Sequence, residues 1–469
     1  MKYRYWIVAV IFSFSILSCN NYLDINDDPN VATEAPLDGL VHRITYQTPH
    51  NVYRIAASYT NYYVQYFASP NQASPIDTYD EVDFSNRWAD LYDVMTDAYD
   101  LIRFAQDIGA NNHIAIGKLM MAVNLAMATD SWGSVPYSAG FSGDLIQLPY
   151  DPAEQVYKAI QNLVDDAIER INTGMDSSVP SADKDLIYAG NMQQWLKLAY
   201  GLKSRYLNRF SGTSKEDLAG VLEALEDGLT GNEDDAELTH FDVRNPWAQV
   251  AINNDLLLLD GWISEQFVDA MNGTTFGVID PRLPIITEPF EENGKLVFRG
   301  TPNGAGRRGD GTIQEEVYLE TSGFYSSEDA PLFLFTFAEQ KFIEAEASFR
   351  IGDVARARSA FELAIRANME KLGVHDTDVE NYLEEKYPDR DSVTLEVIME
   401  EKYLAMFLHP ETWNDARRFD YQYTDFELPV NAIIPNYIRR IAYPDSEKSR
   451  NGNNVPSIGG LSDRVYWDE

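Results

Sequence analysis

The chain has 469 residues, 45% of them hydrophobic, and its 74 acidic against 37 basic side chains give a formal charge of −37. That balance opposes nucleic acid, whose phosphates call for Lys and Arg, and it opposes adsorption to anionic lipid by charge alone. Beyond the N-terminal run, no stretch approaches the ~18 apolar residues that a membrane-spanning helix needs, so the composition describes an exported or soluble body with a large core.

In chain order, Lys2 and Arg4 come first, then an apolar run from Trp6 to Leu17, then Ser18 and Cys19. A charged start, a short apolar stretch and a small residue before the break make a secretory signal peptide over residues 1–18. Cys19 is the one cysteine in the sequence. Ile16-Leu17-Ser18-Cys19 resembles a lipobox, so Cys19 is expected to become an acylated N-terminus that anchors the protein. Removing Lys2 and Arg4 leaves 35 basic against 74 acidic residues, a charge of −39. No thiol is then left for an intrachain disulfide, and the fold must rest on its core.

The mature chain, 19–469, reads as one mainly helical domain without a linker. Ile55, Tyr59, Tyr62 and Tyr66 form a helical stripe that belongs to the core. Trp88, Leu91, Tyr92, Met95, Ala98, Tyr99 and Ile102 predict a helix closed by Gly109. Further helices are expected over Ile114 to Ala128, Pro152 to Ile171, Met192 to Phe210 and Ser214 to Leu229. The apolar run Leu332 to Ala338 reads as the buried start of another. In Leu332 to Leu372, the stripe Ala338, Phe342, Ala345 and Phe349 faces the stripe Ala357, Phe361, Ala364 and Ile365. Between them Gly352 suits a helix C-terminus and Asp353 caps the next helix. This hairpin has about the 34-residue length of a tetratricopeptide repeat, and Trp88 to Met127 and Ala153 to Tyr206 read as degenerate copies. The helical platform thus covers mainly 40–229 and 332–420. Residues 230–331 are irregular, with Gly and Pro signals and short strand-like pieces such as Lys295 to Phe298. The tail, 421–469, is irregular too.

Catalytic and metal motifs fail on inspection. Gly304, Gly306 and Gly309 spell GxGxxG, but Pro302 precedes them and Asp310-Gly311 follows, so they form a loop and not a dinucleotide site. Asp24, Asn26 and Asp28 mimic a calcium loop, yet Pro29 replaces its Gly and Ala35 its bidentate Glu. No HxxxH, CxxC or GxSxG is present, and acidic pairs are too numerous to identify a glycosidase. The 28 Tyr and 8 Trp offer stacking faces with polar tips. The expected ligand face is the irregular chain of 68–87 and 230–331. Its candidate platforms are Tyr79, Phe84, Trp247, Trp262, Phe324 and Tyr325, each near turn residues or outside a clear helical stripe.

Five blocks in order resemble the SusD/RagB family of nutrient-binding outer-membrane lipoproteins, in its SusD-like 2 branch. They are CNNYLDINDDPN at Cys19 to Asn30, WGSVPY at Trp132 to Tyr137, DPRLP at Asp280 to Pro284, FAEQKFIEAEASFRIG at Phe337 to Gly352, and EEKYLAMFLHPETWNDARRFDY at Glu400 to Tyr421. The resemblance implies a mainly α fold, a tetratricopeptide-like platform of helical hairpins with an irregular, loop-rich ligand-facing half. It implies a surface protein held in the outer membrane through acylated Cys19. Such a protein captures glycans or peptides and passes them to a SusC-type TonB-dependent β-barrel transporter, with no cofactor and no catalysis. Two alternatives stand beside it: an outer-membrane glycoside hydrolase or peptidase, and a helical-repeat scaffold for protein assembly.

Overall fold

The computed structural model describes residues 37–468 apart from 142, 144, 175–177, 257–259, 311–312 and 390–392. The signal peptide, Cys19 and the calcium-loop mimic at Asp24 to Ala35 lie outside the described residues. Six helices open the fold: α1 (Leu37–Ile55), α2 (Ser85–Ile108), α3 (Asn111–Trp132), α4 (Ala153–Thr173), α5 (Met192–Asn208) and α6 (Leu218–Glu226). Each packs on the next. From Leu119 to Trp132 every residue of α3 is buried, as befits a helix that is apolar all round. The expected helices over Trp88 to Ile102, Ile114 to Ala128, Pro152 to Ile171 and Met192 to Phe210 are all present. The helix expected over Ser214 to Leu229 is shorter, because the Asp217 side chain accepts the Gly220 N–H and makes Leu218 its first residue.

The clearest repeat unit of the sequence forms as a hairpin. Helices α9 (Phe337–Arg350) and α10 (Val354–Lys371) pack closely on one another, after α7 (Pro246–Asp255) and α8 (Glu265–Met271) in the intervening segment. Gly352 has φ +88, and the Asp353 carboxylate accepts the Arg356 N–H at 3.0 Å. Ala345, Ala357 and Ala364 are fully buried, so the two helices approach to the limit of their small side chains. Helix α9 also packs on α5 and α6, which joins the hairpin to the preceding stack. Next come α11 (Asp376–Lys386), α12 (Leu395–Ala405) and α13 (Glu411–Arg418), and the tail carries one short helix, α14 (Asp445–Arg450). Successive packed helices with nearest-neighbour contacts are the architecture of a helical-repeat platform.

Leu332 to Phe335 is not a helix start. It is a strand, β6 (Leu332–Phe335), paired antiparallel with β2 (Ala236–Leu238). A short, continuously buried apolar run fits strand or helix equally well. Here β2 supplies the backbone partners, and Thr336, whose hydroxyl accepts the Glu339 N–H at 3.1 Å, starts the helix only after it. Two further antiparallel pairs complete the described sheet structure: β1 (Phe67–Ala68) with β3 (Trp262–Ile263), and β4 (Phe290–Glu292) with β5 (Lys295–Val297).

The irregular half is tied firmly to the platform. Arg282, 1% exposed, donates to Asp280 at 2.9 and 2.6 Å, to Asn368 of α10 at 2.9 Å and to Glu401 of α12. Glu401 also accepts from Tyr382 at 2.8 Å and Lys386 at 3.0 Å. The DPRLP block is therefore a buried ionic clamp. The tail folds back on α3, with the Trp467 indole N–H on Asp130 at 2.7 Å and the Trp132 indole N–H on the Ala442 carbonyl at 3.1 Å.

Candidate ligand-binding face

Four of the six aromatic platforms expected from the sequence are core residues. Tyr79, Trp247, Phe84 and Tyr325 are 1%, 1%, 8% and 8% exposed, which leaves no ring face for a ligand. Trp247 stands edge-on between Tyr53 and Phe67, at 6.0 and 5.6 Å. Tyr79 meets Tyr63 at 5.8 Å, Phe84 packs on Tyr59 at 4.7 Å, and Tyr325 packs on Phe407 at 5.6 Å. These rings fill the seam between the platform and the irregular chain, where large faces bury the most apolar area. Phe324 is half-buried and edge-on to Tyr325 at 4.9 Å.

Trp262 keeps part of its indole in solvent. Strand β3 positions it: pairing with β1 aligns Trp262 with Ala68 and turns the neighbouring Ile263 into the core. Its N–H donates to the Asn254 side-chain oxygen at 3.1 Å, and Asn254 itself donates to the Gly261 carbonyl at 3.2 Å. Beside it stands Tyr318, half-buried, with ring centroids 5.7 Å apart and planes at 38°. Tyr318 was not among the sequence candidates. The signal for it lies in Val317-Tyr318-Leu319-Glu320, where Val317 and Leu319 are fully buried while Tyr318 and Glu320 face outward, the alternation of a half-buried extended segment. Burial pushes the Glu320 carboxyl up to about 7, helped by the nearby charges of Glu288 and Asp255. Near neutral pH it therefore both donates and accepts hydrogen bonds. Two canted aromatic faces with carboxyl groups at their edge can stack on an apolar ring face and bond its hydroxyls.

A second feature is a cleft of about 230 Å³, lined among others by Gln65, Glu265, Asp269, Asp425 and Glu427. Pro302 and Asn303, which precede the GxGxxG stretch, line it too. Gly304 has φ +75, and a Cβ there would sit 2.0 Å from the Val430 carbonyl oxygen. Gly306 has φ +76, and a Cβ there would sit 2.7 Å from the Gln72 Cα. These glycines let two loops meet backbone to backbone. Asp77, buried beneath them, accepts from Gly304 N at 2.7 Å, Ser69 N at 2.9 Å and Asn303 Nδ2 at 2.7 Å. Burial pushes its carboxyl up to about 6 against these bonds. Among the described residues, no group of three or more His, Cys, Asp or Glu is arranged to hold a metal ion.

A model of the SusD-like 2 family, described as starch-binding and associating with the outer membrane, matches residues 29–444. The chain belongs to this family. Solved structures share its fold. A SusD/RagB family protein from Bacteroides thetaiotaomicron is 21% identical, with 93% of this chain and 99% of that one aligned at a TM-score of 0.76. A SusD homolog from Bacteroides uniformis is 22% identical over 92% and 99% of the two chains, with a TM-score of 0.76. A chitin-binding SusD homolog from Flavobacterium johnsoniae is 20% identical over 92% and 97%, also at 0.76. No curated protein matches by sequence. Among the described residues, no helix is long and apolar enough to cross a membrane.

Proposed function

We propose that this protein is a surface-anchored binder of nutrient glycans, attached to the outer membrane through acylated Cys19, that hands its ligand to a SusC-type TonB-dependent β-barrel transporter. Membership in a family described as starch-binding and outer-membrane-associated supports the reading, as does the chitin-binding protein that shares the fold. The single observation that carries it in this chain is the solvent-facing Trp262–Tyr318 pair beside Glu320 and Asp255. A shallow aromatic surface with a few hydrogen-bonding groups holds a sugar with moderate affinity and releases it, as a capture protein must. Chemistry on a glycan needs an acid and a base held across one bond, whereas the carboxyl groups here border an open ring face. That favours binding over catalysis.

The test is affinity electrophoresis and calorimetry of the soluble domain against a panel of starch, chitin and plant-wall oligosaccharides. Trp262→Ala and Tyr318→Ala should each weaken the best ligand by about 1–3 kcal/mol of stacking and packing energy and leave the melting temperature unchanged. Retained affinity in both variants would move the site elsewhere, and catalytic turnover of any panel member would replace binding with an enzyme. For the anchor, Cys19→Ser should abolish palmitate labelling and release the protein from membranes. A labelled, membrane-bound mutant would refute the lipoprotein assignment.

A further inference from the structure

In a chain of charge −37, one cleft is lined by three arginines. It lies between α1 and α7, has a volume of about 540 Å³ and carries Arg54, Arg87 and Arg244 with His50 on its walls. Ala57 and Ser58, from the π-helical turn Ala56–Thr60 that follows α1, complete the α1 side. Asp242 and Asp260 line it as well.

The charges in this cleft are unevenly satisfied. Arg54 and Arg87 share one oxygen of Asp90, at 3.1 and 2.5 Å, so two guanidiniums have one carboxylate between them. Arg244 has no ion pair among the described residues, and its Nε–H is buried without a hydrogen-bond partner. The carboxylates on the walls do not fill this gap. Asp260 is occupied by Asn253 at 2.7 Å and by the Gly261 N–H at 2.9 Å, and Asp242 projects into solvent, 63% exposed. His50, stacked on Tyr46 at 5.5 Å, has an unpartnered Nδ1. Burial and then the Arg54 charge hold it down to about 4, so it is neutral. Burial and Arg54 also lower Arg87. An arrangement with surplus buried donors and mutually repelling cations is stabilised by an anion that enters it.

We propose that this cleft receives an acidic group on a sugar, so that the ligand is a uronate-bearing oligosaccharide. The planar fork of an arginine matches a carboxylate bidentately, and the surplus donors are guanidinium N–H groups. One helical turn along α7, Asn254 fixes Trp262, so the cleft and the aromatic pair flank the same helix. The inference rests on the glycan-binding reading and assigns its ligand class.

The experiment compares oligogalacturonides with the same oligomers methyl-esterified, and with a sulfated oligosaccharide, by calorimetry on the soluble domain. The free acid should bind at least about tenfold more tightly than the ester, the size of one lost charge-assisted bond. Arg244→Gln should erase that preference while ester binding and melting temperature stay as in the parent. Arg244 is chosen because it has no ion pair to lose. Occupancy should also raise the His50 titration in ring-proton NMR, since a nearby anion favours the imidazolium. Preference for the sulfated sugar alone would reassign the anion and overturn the uronate. Equal binding of acid and ester, or a preference that survives Arg244→Gln, would overturn the proposal while glycan binding stands. Failure of every oligosaccharide, charged or neutral, would overturn both.

Discussion

Replacing Arg282 by Met keeps the bulk and removes all of the guanidinium donors. Asp280, 1% exposed, then loses two bonds at 2.9 and 2.6 Å and keeps the backbone N–H of residue 282 at 2.9 Å. Asn368 Oδ1 loses its donor. Glu401 fares better, because Lys386, Tyr382 and Tyr387 remain at 3.0, 2.8 and 2.6 Å. The main penalty is thus an uncompensated carboxylate at Asp280, and removing one member of a buried pair costs about 3–5 kcal/mol. Burial alone would raise Glu401, yet Lys386 and Arg282 hold it at about 2. That stability is present above the unfolded carboxyl's titration and disappears as pH falls through the folded value. Arg282→Met should shift the loss to higher pH. Urea unfolding followed by tryptophan fluorescence measures the first effect, and its pH dependence the second. The double variant Asp280→Asn with Arg282→Met should recover part of the loss, because the amide keeps the backbone cap without a buried charge. A loss below about 1 kcal/mol, or a double variant no better than the single, would show that the clamp does not hold the two halves together.

Asp77→Asn should weaken the fold by about 1–3 kcal/mol, since an amide cannot accept all three N–H donors that converge on the carboxylate. The wild-type carboxyl is raised from 3.8 to about 6, so the native state binds the extra proton. Stability should therefore decline as pH climbs through that window. The mutant should lack that slope, and parallel urea-midpoint profiles for the two proteins would contradict the assignment. Ala345→Leu should overpack the contact between α9 and α10 and cost about 1–3 kcal/mol in the same unfolding assay. A parental midpoint would mean that the hairpin has room the structure does not show.

The parts of the fold that could be read from sequence are those with local causes. Gly352 and Asp353 announce a helix end and a helix start within two residues, and both do what their chemistry requires. The fate of Leu332 to Phe335 could not be read, because its partner β2 lies some ninety residues upstream and an apolar run carries no period. Four of the six aromatic candidates proved to be core residues for a related reason. Proximity to a turn says nothing of what covers a ring, and Trp247 is buried by Tyr53 and Phe67, about 190 and 180 residues earlier. Trp262 and Tyr318 meet only because β1 pairs with β3 and the Ile263 N–H bonds the Val317 carbonyl at 3.3 Å. The outward position of Tyr318, by contrast, was written in its alternation with Val317 and Leu319.

Irregular chain suits binding only if it is held still. The described residues of 236–331 form no long helix, yet a short strand pair, the Asp77 hub and the Arg282 clamp attach them to the stacked helices. Side chains on such a face keep their positions before a ligand arrives, so less ordering entropy opposes binding. The same rigidity limits affinity, because a fixed open surface cannot wrap around its ligand and expel the surrounding water. Trp262 and Tyr318 stay half-exposed on such a surface, and in the proposed role the arginine cleft would add selectivity without enclosure. The proposed capture role would gain from that combination, since specificity then comes from which groups match and release follows from how little of the ligand is buried.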